Sequence, residues 1–340
     1  MRKLVVVVLV LALAVGAALA VKHLRKSSPS ASTPSSSTST SAPHYATAPL
    51  TGLADPTGVS RTRPALTVKI ENTPEALPQY GLDQADVVYE EIVNGGITRL
   101  AAVFNSHAPT KVGPVRSVRP TDQQIVFPLG GIFAYSGGAP YAVASISQAP
   151  VKLLDESSAG AAMFRDPSRQ APHNLYANAA RLFSFKGSPT PPPALFHYRS
   201  ASQAAAGPAI EHFTVGFPSI YAVNWTWNTT TASWDRSLFG QKIVTGTGVQ
   251  VSPKNVLVMF VPYVNGVGTF TSYANLQGSG PVWAFIGGRE VRGTWSRGAS
   301  KSDVLTYTLA NGQALALTPG QTWVELQYSG GPMSVTPSVG

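Results

Sequence analysis

The stretch DVVYEEIVNGGITRLAAVFN, residues 86–105, contains two runs of apolar and β-branched residues separated by two adjacent glycines. β-Branched and aromatic residues favour strands, and glycine tolerates the positive φ that a tight hairpin turn demands. The stretch therefore predicts a β-hairpin with strands at 86–93 and 98–105. This hairpin is expected to be the centre of the first folded part of the chain.

The glycine pair also predicts a register for this hairpin. With a two-residue turn, Ile92 faces Arg99 and Glu90 faces Ala101. Glu90 then lies diagonal to Arg99 on one face of the sheet, where long side chains can meet. One interpretation of Glu90 is accordingly a structural ion pair with Arg99.

Short strands and helices surround the hairpin. Thr121-Asp122-Gln123-Gln124 has the pattern of a capping box, which predicts a short helix that ends near Pro128. Further elements are predicted at 65–70 (strand), 132–135 (strand) and 141–147 (helix). The fold class is therefore predicted to be α+β, beginning with a mixed N-terminal α+β domain at 49–203.

Aromatic and β-branched residues increase after the proline-rich stretch 188–193. Glycine-containing turns separate the apolar runs, and helical periodicity is nearly absent there. We therefore predict a β-rich C-terminal domain at 207–335. Trp225, Trp227 and Trp234 in this part could stack on sugars if exposed, although alternating tryptophans on a strand are more often core residues.

The N-terminus has the pattern of an export signal. Arg2 and Lys3 precede an uncharged apolar run of 18 residues, 4–21, which is close to the lower limit for a membrane span. Residues 1–26 are therefore predicted to be a signal peptide or an N-terminal membrane anchor. Residues 27–47 are rich in Ser, Thr and Pro and are predicted to be a disordered linker. The folded part is expected to be extracytoplasmic, either membrane-anchored or secreted.

Composition excludes several classes of protein. The net charge is +9, but five positive charges lie in the first 26 residues and the other charged residues are scattered, so a nucleic-acid-binding surface is not predicted. The chain has no cysteine, which excludes disulfides and thiolate chemistry. The six histidines lack metal-ligand spacing, and nucleotide-binding and hydrolase motifs are missing. Neither a metal nor a cofactor is predicted.

Several ordered motifs together indicate a family. They are PLTG at 49–52, VKIEN at 68–72, QADVVYE at 84–90, GGITR at 95–99, GPVRSVRP at 113–120, the segment 165–176, GTW at 293–295 and GQTWV at 320–324. With these motifs the chain resembles the YerB-like lipoproteins of bacteria, a two-part domain family of unknown function. The resemblance implies an extracytoplasmic envelope protein and implies little about chemistry.

The chain departs from this family pattern at two places. The family's lipoproteins carry a cysteine after the signal segment, and this chain has none, so a lipid cannot be attached there. A histidine often precedes the Gly-Gly turn of the family, and Tyr135 stands at that position here. A catalytic role for a histidine at this position is therefore in doubt.

A loop with two prolines, residues 165–174, contains the polar residues most suited to chemistry. His173 could act as a general base or proton donor oriented by Asp166, because imidazole titrates near neutral pH and a carboxylate fixes its tautomer. The alternative is an internal network in which Arg165, Arg169 and Asn174 lock the loop. Arg165, Arg169 and Asn174 are equally candidates for binding a ligand.

Arg116 and Arg119 lie just before the predicted helix start, where unsatisfied backbone amides attract anions. Together these two residues form a candidate anion site, although pairing with acids such as Glu90 or Glu71 is an alternative. Arg99 is a further candidate for ligand binding. Guanidinium groups suit bidentate binding of carboxylate or phosphate in either case.

Glu90, Glu91 and Asp166 are the residues that could form a carboxylate pair like that of glycosidases. Adjacent strand residues point to opposite faces, so Glu90 and Glu91 cannot form such a pair with each other. The catalytic candidates are accordingly Asp166, His173 and Glu90.

Two functions follow from these features. The first is a tethered envelope protein that binds a cell-wall glycan, an anionic polymer or a membrane-bound wall-synthesis protein without catalysis. The alternative is a hydrolase or transferase that acts on an envelope glycan or phosphodiester. A ligand site is expected in the N-terminal domain and is expected to prefer anions.

Overall fold

The computed structural model describes residues 46–200, 203–218, 222–330 and 335–338. The predicted signal or anchor segment, 1–26, lies outside the described residues, and so does the predicted linker except for residues 46 and 47. The part Tyr45–Gly340 forms one compact unit.

A ten-stranded mixed sheet forms the centre of this unit. Its strands are numbered here in chain order. From one edge to the other they are β18 (Thr306–Thr308), β17 (Arg289–Arg297), β16 (Gly278–Ile286), β13 (Asn255–Val261), β20 (Thr322–Tyr328), β2 (Val87–Ile92), β3 (Thr98–Phe104), β1 (Leu66–Glu71), β4 (Ile132–Ala134) and β5 (Lys152–Leu154).

A second sheet of five strands packs against one face of the central sheet. Its order is β12 (Gln241–Lys242), β11 (Ser233–Leu238), β10 (Ala222–Asn228), β9 (His212–Gly216) and β21 (Val335–Ser338). Phe213 of β9 stacks on Phe285 of β16 with ring centroids 3.5 Å apart, and Trp225 of β10 meets Trp323 of β20 at 5.5 Å. Aromatic side chains therefore fill the space between the two sheets.

Three strand pairs complete the β-structure: β14 (Tyr263–Val264) with β15 (Tyr273–Ala274), β19 (Ala316–Leu317) with β8 (His197–Tyr198), and β6 (Met163–Arg165) with β7 (Leu175–Ala177). The helices are α1 (Val59–Thr62), α2 (Asp122–Leu129), α3 (Pro140–Ile146), α4 (Glu156–Ala159) and α5 (Ala179–Leu182). Single 3₁₀ turns lie at Pro74–Ala76, Leu82–Gln84, Asn94–Gly96, Gly160–Ala162 and Phe183–Phe185. The predicted α+β class, with a β-rich second half, is confirmed. In the described part of the chain, no helix has the length and apolar character needed to cross a membrane.

Strand β20 joins the two halves of the chain. It lies between β13 and β2 and is parallel to both. Within this arrangement Val324 is in register with Tyr89, and Glu325 with Glu90. Strands from both sequence halves therefore contribute to the same sheet.

The β2–β3 hairpin forms where the sequence predicts it, but the predicted register is wrong by one residue. Glu91 faces Arg99, and Glu90 faces Leu100. The reason is a longer turn, in which Gly95 and Gly96 both have positive φ and the Val93 amide donates to the Ile97 carbonyl. A slip of one residue exchanges the two faces of a strand, so Glu90 and Arg99 lie on opposite faces.

The predicted helix begins at Asp122 and extends one residue past Pro128, but its predicted capping box is absent. Thr121 is itself in helical conformation, and its hydroxyl accepts the Ala274 amide proton at 3.0 Å. Asp122 instead accepts the Arg119 amide proton at 2.6 Å. The threonine therefore connects the helix start to β15 of the C-terminal half.

Candidate functional site

A row of charged side chains crosses the central sheet on the face that carries α2. Arg99 of β3 lies directly opposite Glu71 of β1 on one side and Glu91 of β2 on the other. Directly opposite residues of antiparallel strands point to the same face. The register thus places one guanidinium between two carboxylates.

The segment 113–119 begins along the edge of β1, where Val115 forms an antiparallel bridge with Ile70, and it adds two more arginines. The Arg116 amide donates to the Lys69 carbonyl at 2.9 Å, and Arg99 Nη1 donates to the Ser117 carbonyl at 3.0 Å. Arg116 and Arg119 therefore lie on either side of the residue that Arg99 contacts. We call Arg99, Arg116 and Arg119 the arginine cluster.

Glu71 connects this cluster to His173. Its carboxylate lies 3.0 Å from Arg116 Nε and 2.9 Å from His173 Nδ1. The Glu71 side chain is 1% exposed, whereas those of Arg116 and His173 are 20% and 26% exposed. A buried carboxylate thus holds an imidazole and a guanidinium that both reach the surface.

His173 is therefore oriented by Glu71, and the prediction that Asp166 orients it is wrong. Asp166 pairs with Lys111 at 2.7 Å and also accepts hydrogen bonds from Ser168. These hydrogen bonds, first the one from Lys111, hold the pKa of Asp166 below its ordinary value. Asp166 therefore stabilises the loop that contains it, and Glu71 is the carboxylate that contacts the imidazole.

Arg99 is the most buried member of the arginine cluster, with 6% exposure. Its side chain makes a single hydrogen bond to the described residues, the one to the Ser117 carbonyl. Burial, followed by the nearby charges of Arg119 and Arg116, lowers the pKa of Arg99 to about 9. The like charges of Arg116 and Arg119 thus lie close enough to disfavour the protonated form of Arg99.

Arg119 is held by neutral acceptors. Its Nε and Nη2 atoms donate to Asn94 Oδ1 at 3.2 and 2.8 Å, and Nη1 donates to the Val118 carbonyl. Burial lowers the pKa of Arg119, and the charge of Glu91 opposes this effect. Its guanidinium is therefore fixed in position without a directly bonded carboxylate.

A second set of charges lies beneath the cluster and is fully buried. Lys69 Nζ contacts Glu91 and lies 2.8 Å from Asp122 Oδ1. Burial raises the pKa of Asp122 to about 6, while the charge of Lys69 opposes the shift. Glu91 and Asp122 are thus in direct contact with Lys69, and their charges also act on Arg119 without a direct ion pair.

The shifted pKa of Asp122 predicts how stability depends on pH. Because the native pKa lies above the ordinary value of about 3.8, the native state binds a proton more readily than the unfolded state. The stabilisation from this group should be complete below about pH 4 and lost as pH rises through 6. Two pKa units correspond to up to about 3 kcal/mol. Relative to Asp122→Asn, wild-type should therefore lose stability between pH 4 and pH 7 in urea unfolding. Parallel pH profiles for the two proteins would contradict the assignment.

The remaining basic candidates stabilise the loop 165–176. Arg165 pairs with Glu156 at 2.6 Å and donates to Asn174 Oδ1 at 2.8 Å. Asn174 in turn donates to the carbonyls of Asp166 and Arg169. Arg169 donates to the Tyr176 hydroxyl and to four consecutive carbonyls, those of Glu75, Ala76, Leu77 and Pro78. Arg165, Arg169 and Asn174 therefore form the internal network that was the alternative to ligand binding.

Glu90 lies on the other face of the sheet, in the core between the two sheets. It is 2.7 Å from Arg236 Nη2, and both side chains are fully buried. Asn72 and Thr98 also donate to it. Neighbouring Glu325 accepts a hydrogen bond from Trp225 Nε1 at 3.1 Å. Glu90 therefore does not reach the surface where His173 and the arginine cluster lie, and its predicted pairing with Arg99 is wrong.

Several residues of these clusters were missed by the sequence analysis. Lys69 and Glu325 lie between apolar neighbours in their strands, whereas Arg236 follows Asp235 in a polar strand, and all three are fully buried. A charge between apolar neighbours is the sequence signal that could have identified Lys69 and Glu325, because buried charges need partners. Among the described residues, no group of histidine, aspartate and glutamate side chains is arranged to hold a metal ion.

The comparisons with known proteins agree with this architecture. Residues 50–188 match the family described as "Protein of unknown function (DUF3048) N-terminal domain", and residues 213–324 match the corresponding C-terminal domain. A similar sequence is "Putative lipoprotein YerB" of Bacillus subtilis (strain 168), which is 26% identical over 294 residues covering 82% of this chain and 85% of the relative. The crystal structure of the YerB protein from Bacillus subtilis superposes with a TM-score of 0.74 at 22% identity, covering 86% of this chain and 100% of that chain. The resemblance found in the sequence is confirmed, and the fold is shared.

Proposed function

Because this chain belongs to the YerB-like family of two-part DUF3048 proteins of unknown function, we propose that it is an exported, tethered envelope protein that binds an anionic wall polymer without catalysis. The arginine cluster is the proposed binding site. The single observation that carries this proposal is that three guanidinium groups lie close enough for Arg116 and Arg119 to lower the pKa of Arg99, while among the described residues only Arg116 of the three forms an ion pair with a carboxylate, that of Glu71.

The charge balance supports an anionic ligand. Glu71 is shared between Arg116 and His173, and Glu91 and Asp122 both contact Lys69. Crowding of like charges raises the free energy of the unliganded site, which a bound anion would lower. The site is therefore expected to prefer phosphate- or carboxylate-bearing ligands over neutral ones.

Unused donors at the surface support the same ligand class. The Nη1 and Nη2 atoms of Arg116 make no hydrogen bond to the described residues, and Arg99 uses one donor only. Guanidinium groups bind phosphate and carboxylate through two parallel hydrogen bonds. Arg116 is the more exposed of the two and is expected to make the first contact with a ligand.

The proposed location outside the cytoplasm rests on the N-terminal sequence and on the similar protein of Bacillus subtilis. The apolar run 4–21 has the order of an export signal, and the similar protein of Bacillus subtilis carries the name of a lipoprotein. This chain lacks cysteine, so its attachment would depend on the apolar segment itself. The linker 27–47 would then allow the folded part to reach into a cell wall.

The binding proposal is tested with poly(glycerol phosphate) as the anionic probe and chitotriose as the neutral one. Calorimetric titration of the full chain should detect the phosphate polymer, and Arg116→Gln should weaken its binding by about 10- to 150-fold, the equivalent of a charged hydrogen bond of 1.5 to 3 kcal/mol. Arg165→Gln is the matched control, because Arg165 pairs with exposed Glu156 outside the cluster. Equal loss in both variants would show only non-specific charge attraction and would contradict the site.

A second candidate function, hydrolysis or group transfer on an envelope phosphodiester or glycan, is favoured by the contact between Glu71 and His173. A carboxylate that holds Nδ1 leaves Nε2 as the basic atom of the imidazole. Arg116 on the same carboxylate would place a bound phosphoryl group nearby. Turnover by wild-type that disappears in His173→Asn, with binding of the polymer retained, would establish catalysis in place of binding alone.

A further inference from the structure

A cleft of about 430 Å³ lies between the N-terminal half and the β10–β11 turn, and it shares no residue with the arginine cluster. Its walls come from the 3₁₀ turn Leu82–Gln84, from the β10–β11 turn, from the segment before β13 and from the residue before β20. Its polar residues include Asp83, Thr231, Asp235, Gln250, Lys254 and Gln321. We call it the Asp83 cleft. Its volume is in the range of ordinary small-molecule sites.

Asp83 brings to this cleft a carboxylate that is held in place but not paired with a cation. Gln321 fixes the turn that carries Asp83, because its Nε2 atom donates to the Leu82 carbonyl at 2.7 Å and to the Ala85 carbonyl at 2.6 Å. Asp83 forms no ion pair within the described part of the chain, and its Oδ1 atom is buried without a hydrogen bond. Burial raises the pKa of Asp83, and local hydrogen bonds and the charge of His107 oppose this shift only in part. A cation bound beside this carboxylate would therefore be favourable.

Lys254 is the cation that lines the cleft, and other acceptors hold it. Its Nζ atom donates to the Thr231 carbonyl at 2.6 Å and to the Ala232 carbonyl at 3.2 Å. Its aliphatic stem lies against Gly320, where an added Cβ would be 2.4 Å from Lys254 Cγ. The other charged residues that line the cleft are two aspartates, so one net negative charge remains.

A chain of hydrogen-bonded hydroxyls makes Thr231 an acceptor. Ser252 Oγ donates to Asp235 Oδ1 at 2.6 Å, so it must accept the hydrogen bond from Ser233 Oγ, at 2.7 Å. Ser233 Oγ in turn accepts from Thr231 Oγ1 at 2.6 Å. Because each hydroxyl has one proton, the carboxylate sets the direction of the whole chain. The Thr231 hydroxyl oxygen therefore has only lone pairs left for a ligand.

Two glutamine side chains add further acceptors. Gln250 Nε2 donates to two backbone carbonyls, at 2.8 and 3.2 Å, and Gln321 Nε2 also donates to two. Since both nitrogens are engaged in this way, the Oε1 atoms remain as acceptors. Side-chain donors are fewer, because Asn228 Nδ2 and Lys254 Nζ each keep one proton beyond those already donated. The cleft is thus rich in acceptors and poor in donors.

These features describe a ligand that donates hydrogen bonds and carries positive charge. A primary ammonium group offers three donors and one positive charge, which match an unpaired carboxylate and neutral acceptors around it. We propose that the Asp83 cleft binds the primary ammonium group of a small organic ligand, of the kind found in amino sugars and amino-acid esters. This site does not depend on the anionic-ligand proposal for the arginine cluster.

The test uses the full chain and two amines, glucosamine and alanine methyl ester, with their N-acetylated forms as neutral controls. Backbone amide resonances of ¹⁵N-labelled protein are followed during titration at pH 6, where both amines carry a proton. At least one amine should shift resonances of residues 82–84 and 228–235 saturably, and the amine that binds identifies the source of the ammonium group. Its acetylated form should bind at least about 10-fold more weakly, the loss expected for a charged hydrogen bond. Asp83→Asn should weaken amine binding by a similar factor, and Thr231→Val by about threefold.

Other results would overturn the proposal. They are resonances that neither amine shifts at 100-fold excess over protein, equal binding of an amine and its acetylated form, or an affinity unchanged in both variants. Glu211→Gln is the matched control, because Glu211 is an exposed carboxylate outside the cleft, and an equal loss there would show only non-specific charge attraction. Thr231→Val changes an exposed side chain and guards against a folding defect of Asp83→Asn. Arg116→Gln should leave amine binding unchanged, so failure of either site can be recognised separately.

Discussion

Replacement of Arg236 by methionine is expected to lower the free energy of unfolding by about 3 to 5 kcal/mol, because it leaves Glu90 buried without its cation. Arg236 Nη2 and Glu90 Oε2 are 2.7 Å apart, and both side chains have 0% exposure. Such a loss is a large part of the roughly 5 to 15 kcal/mol that stabilises an ordinary domain.

Glu325 increases the destabilisation expected when Arg236 is replaced. It lies beside Glu90 on the neighbouring parallel strand, and burial, followed by the charge of Glu90, raises its pKa well above the ordinary value. One cation therefore faces two carboxyl groups, and its removal favours uptake of a further proton. Arg236→Met should accordingly be less destabilised at acidic pH, where protonation of Glu325 reduces the buried negative charge.

Urea unfolding of the variants at pH 5 and pH 8 measures these effects. The double variant Glu90→Gln/Arg236→Met should recover much of the loss, since it removes both charges. Arg292→Met is the matched control, because Arg292 pairs with Glu290 while 63% exposed, and such pairs contribute under about 1 kcal/mol. A loss within 1 kcal/mol for Arg236→Met at both pH values would mean that this ion pair does not stabilise the contact between the sheets.

A second large loss of stability is expected when the two halves of the chain are produced as separate fragments. The fragment 46–200, produced without the rest, should fail to form a stable fold, because β2 loses its parallel partner β20 and exposes a buried strand edge. Circular dichroism and amide spectra of the fragment should show little native structure. Mixing with the fragment 203–340 is the control and should restore part of it.

Limited proteolysis of the intact chain tests the same feature. The proline-rich stretch 188–193 is held near both ends, since the Gly131 amide donates to the Ser188 carbonyl at 2.7 Å and Pro192 is buried, while residues 188–191 are exposed. Protease should therefore cut first in the linker 27–47 and leave one resistant fragment that spans 188–193. Early cleavage at this stretch, or a well-dispersed spectrum from the fragment 46–200, would show that the halves fold separately.

Local features of the fold were predictable from the sequence, and long-range ones were not. The β2–β3 hairpin and the start of α2 follow from residues close together in the chain. The register failed because Gly95 and Gly96 belong to a longer turn, and a single added residue exchanges the faces. The pairing of β20 with β2 has no local sequence signal at all.

In the candidate site, too, local features were predictable from the sequence and long-range contacts were not. Arg116 and Arg119 were singled out by residue type and by position before a helix start, and His173 as an imidazole in a polar loop. The structure connects Arg116 and His173 through Glu71. The partner of His173 was not predictable, because Glu71 is 102 residues away in sequence while Asp166 is in the same loop. Proximity along the chain pointed to the wrong carboxylate.

The position of β20 also affects how the protein is made. Ribosomes complete β2, at Ile92, 236 residues before they complete β20, at Tyr328, an interval of roughly 10 to 50 s at usual synthesis rates. Throughout that time β2 has an unpaired edge, because its partner strand β20 has not yet been synthesised. A chaperone that shields the nascent strand during this interval would suppress aggregation, and the central sheet can be completed only after β20 has been synthesised.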